Sequence, residues 1–371
     1  MGYRSIHREF YLNGSSYSKE ELRTIAYDLV KEGEAFEQSI GDFLLDWLDS
    51  KSYVEVYTSG STGDPKRIEL QKSHMLNSAK ATGGFFDLQA GNSCLLCLSA
   101  DFIAGKMMLV RAIVLGLKLD YVEPTSNPLE HNNRKYDFCA MVPLQLQNSL
   151  NKLDNIKTLI VGGAPITKEL KVQEQVQNQH TQIFETYGMT ETVTHVAVKR
   201  LKNIRLSAVE AVGKANTPKP ENNFMALPNV HFSLDERNCL VIKAPKVNDD
   251  PIVTNDVVKL FSDTEFEWLG RYDNVINSGG VKLFPEQIEA KLEPIMPSRF
   301  FVAGLPDEKL GKKLVLLIEG TLESDKLFQK IKSLGTLQKF EVPKAIHVIP
   351  TFLETETGKI RRKQTLGIIK K

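Results

Sequence analysis

CLLCLSADFIAGKMMLVRAIVLGLKLDYV, residues Cys94–Val122, reads as strand, helix and strand in succession. Cys94–Ser99 and Lys118–Val122 are short apolar runs of strand length, and Lys106–Leu115 between them repeats apolar residues at helical spacing. A helix inserted between two strands returns the chain to the same end of a sheet, so the two strands run parallel. The alternation continues outward, with strands at Val54–Thr58, Tyr136–Val142, Thr158–Val161 and Gln182–Thr186 and helical stretches at Leu144–Leu150 and, with a weaker stripe, Lys168–Gln177. The fold class is therefore α/β with a mainly parallel sheet. Glycine-rich turns follow two of these strands, at Ser59–Gly63 and Gly162–Gly163, where open α/β sheets place ligands. Cys94 and Cys97 form a C-x-x-C, but residues three apart in a strand point to opposite faces. The four cysteines, Cys94, Cys97, Cys139 and Cys239, are expected to be buried and unpaired rather than metal ligands.

After about residue 215 the texture changes. Short strands divided by Asn, Asp and Pro, as in NVHFSLDERNCLVIKAP, read as antiparallel hairpins of a β-rich subdomain. Beyond the loop Gly270–Gly280 come a helix opened by Pro285, strands at Phe300–Gly304 and Lys313–Glu319, a helix around Ser324–Leu334 and a last strand at Ala345–Ile349, a small α+β unit.

Composition narrows the function classes. With 371 residues, 42% hydrophobic and 25% charged, the chain has the makeup of a folded protein of two or three domains. Its 47 Lys and Arg against 46 Asp and Glu leave a formal charge of +1, so no global field draws in a nucleic acid polymer or an anionic membrane. The apolar stretch Met107–Leu117 carries Arg111 and is shorter than the ~18–20 residues of a membrane span. The start, MGYRSIHREFYLNG, has no apolar core for a secretory signal, and Ile6 stands where myristoylation wants Ser or Thr, so a cytoplasmic protein is expected.

The chemistry is concentrated in Tyr57-Thr-Ser-Gly-Ser-Thr-Gly-Asp-Pro-Lys66. Small and hydroxylated residues leaving a strand turn backbone N–H groups inward as an anion nest, and hydroxyls and Lys66 add donors and charge for phosphate oxygens. It is not a Walker loop, because Pro65 precedes the lysine and Arg67 follows it.

This segment resembles the phosphate loop of the adenylate-forming superfamily of acyl-CoA synthetases, peptide-synthetase adenylation domains and luciferases, and further family motifs follow in order. The resemblance implies ATP contacts from Thr58, Ser59, Gly60, Ser61, Thr62, Gly63 and Lys66, and from the adenine segment Gly162, Gly163, Ala164 and Pro165. Tyr187-Gly188-Met189-Thr190-Glu191-Thr192 is similar to the signature in which the tyrosine stacks on adenine, the threonine meets the α-phosphate and the glutamate holds Mg²⁺. Asp256 and Arg271 fall where the family grips the ribose, Asp273 where it hinges, and Thr357-Gly-Lys359 where it carries a mobile catalytic lysine. Gly279, Gly280 and Lys282 match the loop presented in the thioester-forming step with CoA. Residues 1–271 would form the adenylation domain that binds ATP and the acyl acid, 272–273 the hinge and 274–371 a mobile C-terminal lid. Catalysis would rest on Lys66, Thr190, Glu191 and Lys359, with ATP, Mg²⁺ and CoA as cofactor and co-substrates.

The acid is read from the positions that shape the family's acyl pocket. Lys106 and Arg111 offer cations to a second carboxylate, and His195 follows the signature closely enough to line the pocket. For either cation a salt bridge or snorkelling is an equal reading, and for His195 a structural role is the stronger one. The short N-terminal region, with 56 residues before the phosphate loop, together with AGKMMLVRA, YGMTET and NSGGVK, is most similar to the o-succinylbenzoate–CoA ligases of menaquinone biosynthesis, whose substrate is an aromatic keto-diacid. Two alternatives stand beside it: a ligase for another aryl or acyl acid with CoA or a carrier protein as acceptor, and a silent nucleotide-binding module. Phe102, Asn255 and Val281 depart from the family pattern. Singly, Glu191 and Lys359 would be solvated charges and Gly279-Gly280 a tight turn.

Overall fold

The computed structural model describes residues 5–58, 66–167, 170–171, 176, 180–201, 223–321, 324–354 and 360–369. The chain opens with a short edge hairpin, β1 (Tyr11–Leu12) and β2 (Ser15–Ser16), then helices α1 (Lys19–Glu32) and α2 (Ala35–Leu48). A capping box starts α1: Glu21 N donates to the Ser18 hydroxyl at 3.3 Å and Ser18 N donates to the Glu21 carboxylate at 2.8 Å. Strands β3 (Tyr53–Thr58) and β4 (Lys66–Gln71) form a separate antiparallel pair in which Thr58 faces Lys66. The strand expected at Val54–Thr58 is therefore present but lies outside the parallel sheet. It buries Val54 and Val56 in the core through the alternation of its side chains.

Helix α3 (Lys72–Phe86) leads to the parallel sheet of β5 (Ser93–Leu96), α4 (Ile103–Leu115), β6 (Lys118–Tyr121), β7 (Tyr136–Met141), α5 (Pro143–Asn148), β8 (Ile156–Val161) and β9 (Gln182–Gly188). Strands β6, β5, β7, β8 and β9 lie side by side in parallel, as the strand–helix–strand reading expects. The helix expected at Lys168–Gln177 lies largely outside the described residues. Cys94 and Leu96 enter one core, with α1–α4, while Leu95 and Cys97 enter a second core across the sheet with Leu146 of α5. The two cysteines of C-x-x-C thus sit on opposite faces, and all four cysteines are buried and free.

Strands β10 (His195–Arg200), β11 (Phe224–Ala226), β12 (His231–Leu234), β13 (Cys239–Lys243), β14 (Ile252–Ser262) and β15 (Glu265–Arg271) follow. They are antiparallel, and because β10 pairs with β9 they extend the parallel sheet itself, giving a sheet that, with the β1–β2 edge hairpin, has thirteen strands among the described residues. The β-rich part is continuous with the main sheet rather than a detached layer. After a short turn, β16 (Ile276–Ser278), β17 (Val281–Leu283), α6 (Pro285–Leu292), β18 (Phe300–Asp307), β19 (Gly311–Glu319), α7 (Ser324–Lys332), β20 (Ala345–Ile349) and α8 (Arg362–Ile369) make a smaller α+β unit. Its two buried clusters, one on each face of β18–β19–β20, draw only on residues from Ile276 onward. Among the described residues no helix is long and apolar enough to cross a membrane.

Candidate active site

Strands β8 and β9 end side by side. Gly162 to Pro165 leave β8, partly or fully exposed, and Tyr187-Gly188 leave β9 into the turn Met189–Thr194. The Thr192 hydroxyl accepts from Met189 N at 2.9 Å and donates to the Thr194 carbonyl at 2.7 Å, which ties the turn together. Val193 adopts φ 65° and ψ −56°, and Thr194 N donates to Thr192 O at 2.7 Å. This is a γ-turn of the strained kind with positive φ, at a β-branched residue. It reverses the chain so that His195 of β10 pairs with Gly188 of β9. A Cβ on Gly188 would collide with the Thr194 carbonyl, so only glycine permits the reversal. The turn presents Thr190 half-buried and the Glu191 carboxylate exposed, while the Glu191 carbonyl accepts from Asn248 Nδ2 at 2.9 Å.

Beside Gly162–Pro165 lies a buried ionic cluster. The Glu185 carboxylate of β9 accepts from Lys199 at 2.8 Å, from Lys171 at 3.1 Å and from Ile166 N at 3.3 Å, anchoring the chain just after Pro165. Burial pushes the Glu185 pKa up, but the Lys199 and Lys171 charges outweigh it, so the carboxyl titrates below its ordinary value.

Asp256 meets the signature directly. Asp256 on β14 stands opposite Arg271 on β15, the register that brings these two residues together. The Tyr187 hydroxyl donates to Asp256 Oδ2 at 2.7 Å, Trp268 Nε1 donates to Asp256 Oδ1 at 3.1 Å, and Arg271 Nη1 lies 3.6 Å from the same Oδ1. Burial first, then the Asp256 charge, raises the Tyr187 phenol far above its ordinary value and keeps it a donor. Asn255 is also engaged: it accepts from Arg237 Nη1 at 2.9 Å, and the same guanidinium donates to Thr254 O at 3.1 Å and lies 5.2 Å from the centre of the Tyr272 ring.

Lys106 and Arg111 both lie on α4 but part company. Five residues place them on different faces of the helix. The Lys106 ammonium donates to Ala100 O at 2.6 Å and lies 5.2 Å from the Phe43 ring centre, so a local structural role accounts for it. Arg111 is 1% exposed and no carboxylate pairs with it among the described residues. Its guanidinium instead approaches Met108 Sδ at 3.5 Å, Thr194 Oγ1 at 3.4 Å and His195 Nδ1 at 3.5 Å, and its Nε has no hydrogen-bond partner. Burial pulls its pKa down to about 10, so it is a desolvated cation near neutrality. His195 Nε2 lies 3.4 Å from the Thr82 hydroxyl of α3. Burial, then the Arg111 charge, hold the imidazole well below its ordinary pKa and therefore neutral. His195 also borders a cavity of about 300 Å³, walled by Ala81, Val196, Leu227, Val230 and Val247.

Ser59, Gly60, Ser61, Thr62 and Gly63 lie outside the described residues, as do Lys359 and the side chains of Thr58 and Lys66. Asp273 is exposed in the turn Tyr272–Asn274 that links the two parts of the chain. Asn274 Nδ2 donates to Glu286 Oε1 at 2.6 Å and draws α6 toward that turn. Gly279 and Gly280, at φ 59° and 82°, form the two-residue turn between β16 and β17, a conformation suited to glycine, and Lys282 is exposed beside them. Of the departures, Phe102 is exposed at the start of α4 and Val281 packs against the core of the smaller unit. Trp268, Thr194 and Thr82 join the site without a motif to announce them.

A family model of AMP-binding enzymes matches residues 29–225. The 2-succinylbenzoate–CoA ligase of Enterococcus faecalis is 25% identical over 334 residues, covering 83% of this chain and 67% of that protein. That of Listeria monocytogenes is 23% identical over 377 residues, covering 95% and 75%. Among solved structures, an acyl-CoA synthetase (AMP-forming)/AMP-acid ligase II-like protein from Dyadobacter fermentans is 34% identical with a TM-score of 0.59, covering 94% of this chain and 98% of that one. The o-succinylbenzoate coenzyme A synthetase of Bacillus subtilis in complex with ATP and magnesium ion, 20% identical, shares the fold at a TM-score of 0.69 over 84% and 69%. With the family match spanning more than half of its residues and the Dyadobacter protein aligned along nearly all of them, the chain belongs to the AMP-binding enzyme family.

Proposed function

We propose that the chain is an ATP-dependent acid–CoA ligase and that its acid is o-succinylbenzoate. The observation that carries the nucleotide half is the Tyr187–Asp256 bond, which brings the signature and the ribose segment together, 69 residues apart, at the ends of the parallel strands. The diacid is supported by Arg111, a buried cation without a carboxylate partner among the described residues, and by the names of the relatives that match over most of their length.

In this reading the acid's carboxylate attacks the α-phosphorus of ATP and the bond to pyrophosphate breaks. The CoA thiol then attacks the acyl carbon, the bond to AMP breaks and the thiol proton leaves. The nucleophile of the first step is already ionised, so the barrier lies in bringing anions together and holding charge on phosphorus. Thr58 to Gly63 and Lys66 would cradle the phosphates, Gly162 to Pro165 and Tyr187 would hold adenine, and Asp256 and Arg271 the ribose. Thr190 would meet the α-phosphate, and Lys359 would bridge it to the acid. Among the described residues no group of three or more acidic, His or Cys side chains could hold an ion alone. The single exposed carboxylate of Glu191 suits Mg²⁺, which is held by one or two carboxylates together with substrate phosphates. When bound there, Mg²⁺ supplies positive charge to the phosphate oxygens. Separate cores on either side of Tyr272–Asn274 support a lid, 274–371, turning at Asp273 to withdraw Lys359 and present Gly279, Gly280 and Lys282 to CoA.

The test is acid-dependent pyrophosphate release across a panel of aryl and acyl acids including o-succinylbenzoate, with and without CoA. Release with o-succinylbenzoate, followed by thioester only when CoA is present, is expected. Preference for another acid removes the substrate assignment, and no release with any acid removes the activity.

A further inference from the structure

Both carboxylate oxygens of Asp256 are already occupied by the protein, one by the Tyr187 hydroxyl and the other by the Trp268 indole. The neighbouring chain is fixed independently: Arg237 holds Thr254 O and Asn255, and Asp256 N donates to Thr254 Oγ1 at 3.0 Å. The backbone thus sets where Asp256 sits, while the two donors set the plane of its carboxylate. Tyr187 is itself clamped, with ring centres 5.1 Å from Phe266 and 5.7 Å from Phe224. Trp268 packs half-buried against the same core on β15. An ionised carboxylate accepts about four hydrogen bonds, two on each oxygen. With one hydrogen-bond donor on each from the protein, each oxygen keeps capacity for one more, with Arg271 Nη1 standing at 3.6 Å from Oδ1, beyond hydrogen-bond distance.

We propose that Trp268 is a positioning residue that orients Asp256 as a receptor for a vicinal diol, and thereby makes the nucleotide site select ribose over deoxyribose. The proposal rests on the reading that Asp256 meets the ATP ribose. Two acceptors held in one plane suit two adjacent hydroxyls. A sugar lacking one hydroxyl leaves a buried, charged acceptor unmatched, a loss that discriminates more strongly than an apolar misfit. Asp256 is 5% exposed, so water replaces the missing hydroxyl poorly. Without the indole N–H, Oδ1 is held only by the more distant Arg271, whose side chain is 48% exposed.

The experiment compares kcat/KM for ATP, 2′-deoxy-ATP and 3′-deoxy-ATP in pyrophosphate release by the full chain and by Trp268→Phe, which keeps an aromatic ring and removes the donor. The wild type should prefer ATP over each deoxynucleotide by about 10- to 100-fold, the range of a hydrogen bond to a charged group. In Trp268→Phe at least one ratio should fall below about fivefold through a higher KM for ATP, with kcat at saturating ATP within about threefold of wild type. A structural role would lower activity with all three nucleotides alike. Wild-type ratios kept in Trp268→Phe overturn the role of Trp268 alone. A wild type that releases no pyrophosphate from ATP with any acid overturns the activity on which the role rests. Should Trp268→Phe fail to fold, Trp268→His retains a ring N–H. Ratios near the wild type there support the donor role, and ratios collapsed to indifference despite a folded chain count against it.

Discussion

Replacing Arg111 with Met should make the protein more stable and a worse ligase for a diacid. Burial lowers the guanidinium from its ordinary value to about 10. At ~1.36 kcal/mol per pH unit this amounts to about 3 kcal/mol spent on keeping the cation inside the folded chain. The sign follows from the group being a base with a depressed value. The penalty is present in full below pH 10, hence throughout the working range, and relaxes only as pH rises through the folded value toward the higher unfolded one. Met keeps the apolar stem among α4, Thr194 and His195 and deletes the charge, so a rise of a few degrees in melting temperature is expected. A substrate carboxylate that pairs with this cation gains what the empty site forgoes. Breaking a buried pair by removing one partner costs about 3–5 kcal/mol, or roughly two to four orders of magnitude in kcat/KM. Steady-state pyrophosphate release with o-succinylbenzoate and with its monoacid analogues provides the assay, alongside calorimetry of the free protein. The diacid should lose about 10²-fold or more, while the monoacids change little. A lower melting temperature with equal losses for both acids would mean that Arg111 is a structural cation, and the diacid argument would fall with it.

Three further outcomes are expected. Lys359→Ala should abolish pyrophosphate release yet leave thioester formation from pre-made acyl-adenylate largely intact, and equal loss of both steps would count against two working conformations. Gly280→Trp should do the reverse, slowing the CoA step and sparing adenylation; its side chain would enter open space at the hairpin tip, with strain confined to a φ of 82°. Normal CoA turnover in that variant would remove this loop from the thiol's path. His195 contributes stability as the neutral imidazole above its unfolded pKa near 6.5, and loses it as pH falls toward the lower folded value. His195→Asn should therefore flatten the acid-side fall in melting temperature between about pH 6.5 and 5, and an unchanged profile would mean that His195 is not the buried neutral base.

Much of this arrangement was legible because it depends on patterns local in the chain. The alternation in Cys94–Ser99 was enough to send Cys94 and Cys97 to opposite faces. Glycine at Gly188 marks a reversal that no other residue fits, and Gly279-Gly280 marks a turn with positive φ at both positions. Which strand pairs with which was not legible. Val54–Thr58 has the composition of a sheet strand, but nothing in its own residues says that it pairs with Lys66–Gln71 and not with β5. Trp268 reaches Asp256 only because β14 and β15 are paired with a shift between Val257 and Val258, and such irregularities leave no periodic signal. The fates of Lys106 and Arg111 turned on which face of α4 met β10. Helices α1 and α2 went unnamed although Ser18-Lys-Glu-Glu21 writes a capping box in the sequence, a signal that was available.

The turn at Val193 connects the two halves of the site. Tyr187, Thr190 and Glu191 precede it and belong to the proposed nucleotide side; Thr194 and His195 follow it and touch Arg111. Holding a β-branched residue at φ 65° costs on the order of 1–3 kcal/mol. That strain is sustained by the Thr192 hydroxyl, which engages Met189 and Thr194 on both sides of it, and by the β9–β10 pairing that resumes at Gly188 and His195. A relaxed turn would let the two sides drift independently. In the proposed function the strained one would fix the distance between an acid anchored at Arg111 and an α-phosphate at Thr190. An in-line attack tolerates little error in that distance, since a misplacement of about 1 Å costs on the order of 10²-fold in rate. On that reading the same few residues have to be rigid for both substrates at once, so removing the Thr192 hydroxyl, which is assigned no contact with either, should cost activity as removing the residues that would touch them does.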